Sequence, residues 1–375
     1  MLSKTKKYII QVMRGKRHGF FALLLKGFFR VLSLPYQLIV FCRNWAYDRE
    51  WLRQYQPPVP VVISVGNIVV GGSGKTPVTL MLGNALYEEA SIGILSRGYR
   101  SPAEKLAMPV ILSSGKGPVH SAAYCGDEPY MLAENLPKAC VIVGKDRHKS
   151  ANMAAKAGVE IALLDDGMQH RRIGRDYEVV VMDVDDPFGQ EYFLPRGLLR
   201  ESPKSLSRAD LIVLNHVNDP TIFEGAKLRV RQYSSAPIVG TCLGTVQLYD
   251  LYGNEVNTLN EKKVGVFCGI AQPERFFETV RNLGAQAVGQ EIFPDHHVYC
   301  PEQIAQLATK YKSLGAEMLV CTEKDKVKLP EMPENPLPVV WVKIHLQVTE
   351  GQESWENFLG KVKLDLEKRT QKKPS

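Results

Sequence analysis

The seven cysteines, at positions 42, 125, 140, 242, 268, 300 and 321, form no C-x-x-C pair and are odd in number. That spacing excludes a disulfide framework and a zinc knuckle, and predicts buried free thiols in a reducing compartment. Long uncharged apolar runs are scarce too. The longest in the N-terminal stretch, Val31 to Cys42, falls short of the roughly 20 residues a membrane span needs. A secretory signal is the competing reading, and charge inside the apolar stretch and the lack of a small-residue cleavage site count against it. Internal repeats and low-complexity tracts are missing, which argues against solenoids and disorder. What is present, 375 residues at 45% hydrophobic and 23% charged, suffices for two packed cores.

Charge is concentrated at one end. Residues 1–50 hold ten Lys and Arg against Asp48 and Glu50, a local +8, while the other 325 residues sum to −1. A nucleic-acid binder would spread its basic charge along a groove, so a single basic arm meeting an anionic surface is expected, with no nucleic-acid partner. Residues 19–42, GFFALLLKGFFRVLSLPYQLIVFC, are the most apolar stretch, interrupted by Lys26, Arg30 and Pro35. Lys26, Arg30, Ser33 and Gln37 step by helical spacing and predict a polar stripe, with Phe20, Leu24, Phe28, Phe29 and Leu32 around the rest. This pattern suits a helix lying at a membrane surface; a helix packed on the protein's own core is the alternative.

From Val59 onward, strand, glycine loop and helix alternate. PVVISVGNIVV, SIGILSRGYR, ACVIVGKDR, IALLDDGMQ, YEVVVMDVDD and ADLIVLNH read as buried parallel strands, with helices such as Glu128 to Leu136 and Lys149 to Ala157 between them. The order predicts an α/β fold with a P-loop NTPase-like, doubly wound parallel sheet. Residues 238–258 read as two strands about a Gly253-Asn254 turn, a ribbon joining this domain to a second, smaller α/β domain. The expected divisions are an N-terminal arm at 1–50, a nucleotide domain at 51–237, the ribbon at 238–258, a C-terminal domain at 259–360 and a loose basic tail at 361–375.

GNIVVGGSGKTP, Gly66 to Pro77, carries the clearest chemistry. Phosphate binding needs glycines that turn backbone N–H groups inward, a lysine for the β- and γ-phosphates and a hydroxyl for Mg²⁺. Gly74, Lys75 and Thr76 fit these needs, although Val69 stands where the first glycine of the common motif would fall. Val69, Val70, Gly71, Gly72, Ser73, Gly74, Lys75 and Thr76 are therefore the expected ATP-binding segment. A metal-side carboxylate is expected at a nearby strand end, and both Asp165-Asp166 and Asp183, Asp185 and Asp186 qualify.

Taken in order, GNIVVGGSGKTP, LSRGYR, GDEPYML, DDGMQHRRIGRD, FGQEYFLPRGLLRES, FPDHH and TEKDKVKL make the chain resemble the tetraacyldisaccharide 4'-kinases of lipid A synthesis. The resemblance implies transfer of the ATP γ-phosphate to the 4'-hydroxyl of a tetraacylated glucosamine disaccharide 1-phosphate. It also implies a peripheral enzyme on the inner face of the cytoplasmic membrane, with no obligate protein partner. It assigns Lys75 and Thr76 to phosphate and Mg²⁺, Asp165 and Asp166 to the acidic pair, Asp127 to the general base and His296 or His297 to its partner. Glu201, in LLRES, matches a metal-side carboxylate. By position alone Asp127 also suits a helix cap, and Arg97, Arg147, Arg171, Arg172, Arg196 and Arg200 suit either phosphate contacts or solvated charge. A P-loop switch or transport ATPase is the competing class, but the guanine-reading N/T-K-x-D is missing and TEKD (322–325) echoes it only superficially.

Overall fold

The structure, a computed structural model, describes residues 4–331 and 335–371. Aliphatic runs bounded by glycine or polar signals become strands β1 (Val61–Gly66), β2 (Ile92–Ser96), β3 (Val110–Ser114), β4 (Cys140–Val143), β5 (Ile161–Asp165), β6 (Tyr177–Asp183), β7 (Leu211–Asn215), β8 (Ile238–Asp250), β9 (Lys263–Cys268), β10 (Gln286–Ile292), β11 (Met318–Thr322) and β12 (Val339–Glu350). The helices are α1 (Lys4–Met13), α2 (Phe20–Asp48), α3 (Lys75–Leu86), α4 (Ala122–Cys125), α5 (Asp127–Asn135), α6 (Arg147–Lys156), α7 (Pro220–Arg231), α8 (Pro273–Asn282), α9 (Pro301–Ser313), α10 (Glu323–Lys326) and α11 (Gln352–Thr370). Among the described residues the strands join one mixed sheet of order β10-β9-β11-β12-β8-β7-β6-β1-β5-β2-β4-β3.

Strands β1, β2 and β4–β7 pair in parallel, and all their residues are buried, which is why their sequences are continuously apolar rather than alternating. Their carboxyl ends lie together, as the register Val65↔Asp165 places the acidic pair beside the exit of β1. β3, which the sequence reading did not identify, pairs antiparallel with β4 at the sheet edge. A separate apolar cluster around Val264, Val266, Phe276 and Val340 packs the β9–β12 end.

The ribbon differs from the expected hairpin. β8 does turn at Asp250–Asn254, but its long antiparallel partner is β12, from Val340↔Asp250 to Glu350↔Gly240. A pairing between segments about 100 residues apart leaves no local turn signal. The tail is also corrected: residues 352–370 form one helix, α11, with Trp355, Phe358, Val362 and Leu366 buried in the cluster that contains β1. Residues 352–360, expected in the C-terminal domain, thus pack on the first half of the sheet. Positions 372–375 of the expected tail lie outside the described residues. The cysteines are all free, but Cys42 and Cys300 are exposed and Cys242 half-buried rather than buried.

Helix α2 runs through Pro35 and, at 29 residues, is long and apolar enough by length and composition to cross a membrane. The predicted polar stripe does not separate protein from solvent. Ala22, Phe29, Ser33, Val40 and Asn44 form the buried side, whereas Phe21, Leu23, Val31, Ile39 and Phe41 are all more than 60% exposed. An apolar face this extensive, turned outward from an otherwise packed protein, marks an interaction surface.

Candidate active site

β1 ends at Gly66, and α3 begins at Lys75, so the glycine segment spans a strand end and a helix N-terminus. Gly71 and Gly74 have φ of 133° and 86°, and a Cβ at Gly74 would collide with the Asn215 side-chain amide. That amide donates to the Ser73 carbonyl at 3.2 Å, while Asn67 Nδ2 donates to Ser73 Oγ at 2.9 Å. Val70 through Thr76 line a cavity of about 1990 Å³. Val69 does not: it bridges to Leu199 and its side chain is buried in an apolar cluster, so the eight-residue binding segment loses its first member.

The two aspartates after β5 have different surroundings. Asp165 is buried, and its Oδ2 accepts from Ser96 Oγ at 3.0 Å. Burial, with Glu128 and Asp166 nearby, pushes its carboxyl up to about 6. Asp166, at φ 51°, lies 3.5 Å from Lys75 Nζ and accepts from Arg200 Nη1 at 2.9 and 3.1 Å. Partial enclosure would raise its pKa; Lys75 and Arg200 outweigh that and hold it at about 2. Asp183, the other candidate strand end, instead receives Arg275 Nη2 at 2.8 Å and Gln272 Nε2 at 3.1 Å, both from the segment after β9. The geometry therefore pairs Lys75 with Asp166.

Asp127 is the first residue of α5, with Gly126 in the N-cap position, so it does not cap the helix; it is buried beside the cavity-lining Glu128, and its Oδ1 accepts from the Glu128 N–H at 3.0 Å. Its carboxylate also meets His296 Nδ1 at 3.1 and 2.9 Å. His296, at φ 60°, comes from the loop after β10, in the other half of the sheet. His297 turns away, stacking on Phe293 and facing Gln303. Burial would raise the Asp127 pKa, but the His296 hydrogen bond and the Lys324 charge pull it to about 2.

Glu201 does not join this group. It is fully buried, bound by Asn44 and Arg208 on the α2 side, so the expected metal-side position is corrected. Of the six arginines, Arg97, Arg147, Arg172 and Arg200 line the cavity; Arg171 binds α2 and Arg196 lies over Tyr192. The sequence reading missed Lys324, which contacts Glu128 at 2.8 Å, Asp295 at 3.2 Å and Asp127 at 3.9 Å. Three carboxylates outweigh the burial that would lower its pKa, and raise it. Its signal was TEKD, whose lysine was read as an echo of a nucleotide-base motif.

Residues 25–363 match the family described as LpxK, Tetraacyldisaccharide-1-P 4'-kinase. The chain is 37% identical to a tetraacyldisaccharide 4'-kinase from Syntrophus aciditrophicus, over 90% of this chain and 92% of the relative. It is 36% identical to that of Chlamydia pneumoniae, over 85% and 86%. A crystal structure of LpxK from Aquifex aeolicus in complex with ATP superimposes with a TM-score of 0.72 at 30% identity, covering 90% of this chain and 99% of that one.

Proposed function

The chain belongs to the tetraacyldisaccharide-1-P 4'-kinase family, and we propose that it transfers the ATP γ-phosphate to the 4'-hydroxyl of a tetraacylated glucosamine disaccharide 1-phosphate, forming lipid IVA at the inner face of the cytoplasmic membrane. The observation that carries this reading is one cavity lined by both the glycine segment and His296, the latter hydrogen-bonded to Asp127. We read the parallel strands around β1 as a P-loop NTPase-like, doubly wound domain and the β9–β12 end as the smaller domain.

In this reading Lys75 and the N–H groups of residues 71–76 hold the β- and γ-phosphates at the start of α3. The donor set suits Mg²⁺: the Thr76 hydroxyl and the Asp165 and Asp166 carboxylates are oxygen ligands, and magnesium takes one or two carboxylates with phosphate oxygens and water. Among the described residues no three His, Cys, Asp or Glu side chains gather into an all-protein site. A cation beside Asp165 would favour the ionised carboxylate that burial now disfavours. The ion would offset charge on the transferring phosphoryl group. Asp127 orients the acceptor hydroxyl and takes its proton as the new P–O bond forms and the bond to ADP breaks. His296 holds Asp127 in place and shares that proton.

The lipid acceptor is supported by α2, whose Tyr36 lines the cavity while Phe21, Leu23, Phe28, Leu38 and Phe41 face outward. Incubation with ATP, Mg²⁺ and a tetraacylated disaccharide 1-phosphate in mixed micelles should yield the bisphosphorylated lipid and ADP in equal amounts. Free phosphate without phosphorylated lipid would overturn the kinase reading in favour of a nucleotide-hydrolysing switch.

A further inference from the structure

Glu201 is displaced from the role its motif suggests, and its surroundings point to another one. Asn44 Nδ2 donates to its Oε2 at 2.7 Å and Arg208 Nη2 does so at 2.9 Å. Its Oε1 has no hydrogen-bond partner, and Arg43 Nη2 stands 3.6 Å away. Burial would raise the Glu201 pKa, but Arg208 outweighs it and the group stays ionised. A buried carboxylate persists only where its partners are held, so this contact fixes residues 200–201 against α2.

The same stretch of α2 makes three more ties. Tyr36 Oη donates to the Arg200 carbonyl at 3.1 Å. Arg171 Nη1 donates to the Asn44 carbonyl at 3.1 Å and its Nη2 to Asp48 Oδ1 at 2.7 Å. Arg200 and Arg171 belong to the two segments that frame Asp166. Arg200 Nη1 reaches Asp166 and, at 2.9 Å, Gln169 Oε1; Arg171 follows two residues later on the loop that carries both. The α2 segment from Tyr36 to Asp48 therefore braces the loop that presents Asp166 to Lys75, while its opposite side is apolar and exposed.

We propose that α2 is a wall of the nucleotide site as well as an apolar arm, and that Asn44 and Glu201 are positioning residues that set Asp166 through Arg200. The inference rests on the kinase reading. It adds that phosphoryl transfer depends on how α2 is docked, independently of whether the chain reaches its lipid.

The test compares full-length wild type with Asn44→Leu, Arg200→Met and the double variant, in vesicles of phosphatidylethanolamine and phosphatidylglycerol with ATP and the disaccharide acceptor. Asn44→Leu should lower kcat about tenfold with vesicle binding and the KM for acceptor within about twofold of wild type. The double variant should be within about twofold of Arg200→Met alone, because both act through one guanidinium. Wild-type kcat for Asn44→Leu, a loss explained by weaker vesicle binding, or multiplicative losses in the double variant would each overturn the proposal. If Asn44→Leu fails to fold, Tyr36→Phe, which removes only the hydroxyl bound to the Arg200 carbonyl, takes its place in the same cycle. A wild-type chain that makes no phospholipid product would instead fail the kinase reading itself.

Discussion

At the scale of single residues, Lys75 and Asp166 show how far a motif constrains chemistry. The lysine is placed by a glycine turn and a helix start, both written locally in GGSGKT, so its position was legible. Lys75→Ala should lower kcat by about 100-fold or more, because removing one preorganised cation from a phosphoryl-transfer site removes charge stabilisation needed only in the transition state. Circular dichroism should show the native fold. Glu201 was misread for the opposite reason: its partners Asn44 and Arg208 are fixed by tertiary packing, 157 residues away in one case. His170, in DDGMQHR, offers a pH test. Burial, with Arg147 and Arg175 nearby, holds its pKa down at about 4 from 6.5. Between those values the unfolded chain binds a proton that the folded chain refuses, so His170's contribution is complete above about 6.5 and is lost as pH falls toward 4. His170→Gln should therefore flatten the fall in Tm between pH 7 and 4.5, and an unchanged pH slope would refute the assignment.

At the scale of elements, buried parallel strands were readable because each is a short apolar run ended by glycine or an acid. β3 escaped because VILSS is half-polar and lies on the edge, and the β8–β12 ribbon escaped because its partners are far apart in sequence. The basic composition after Lys361 concealed α11, whose apolar residues recur at helical spacing: Trp355, Phe358, Val362 and Leu366. Leu366→Ala should cost about 2–5 kcal/mol in urea unfolding, the range for truncating a buried leucine to alanine. A loose tail would show no change. For α2, truncation is a poor test of membrane binding, since it would strip Asn44 from a buried carboxylate. Phe21→Ser with Phe41→Ser alters only exposed positions. The pair should weaken sedimentation with anionic vesicles by roughly tenfold or more, as each lost aromatic removes apolar insertion that salt does not screen, while Tm holds steady.

At the scale of the whole molecule, the proposed chemistry is divided between the two halves of the sheet. Asp127 opens a helix of the first half, and His296 and Lys324 come from the second; Arg275 to Asp183 and Lys326 to Glu134 tie the same halves at 2.8 and 2.9 Å. A carboxylate held near pKa 2 is a weak base, so its value to catalysis is the placement of the sugar hydroxyl, which depends on the histidine from the other half. Neither residue is then useful without the other. Asp127→Asn and His296→Ala should each lower kcat by about 100-fold or more, with the KM for ATP within about threefold, since neither residue belongs to the segment 70–76 proposed to hold the nucleotide. The double variant should be scarcely worse than the poorer single one. Multiplicative losses would mean that the two side chains act separately and that their hydrogen bond serves only to hold the halves together, in which case His296→Ala should lower Tm as strongly as it lowers kcat.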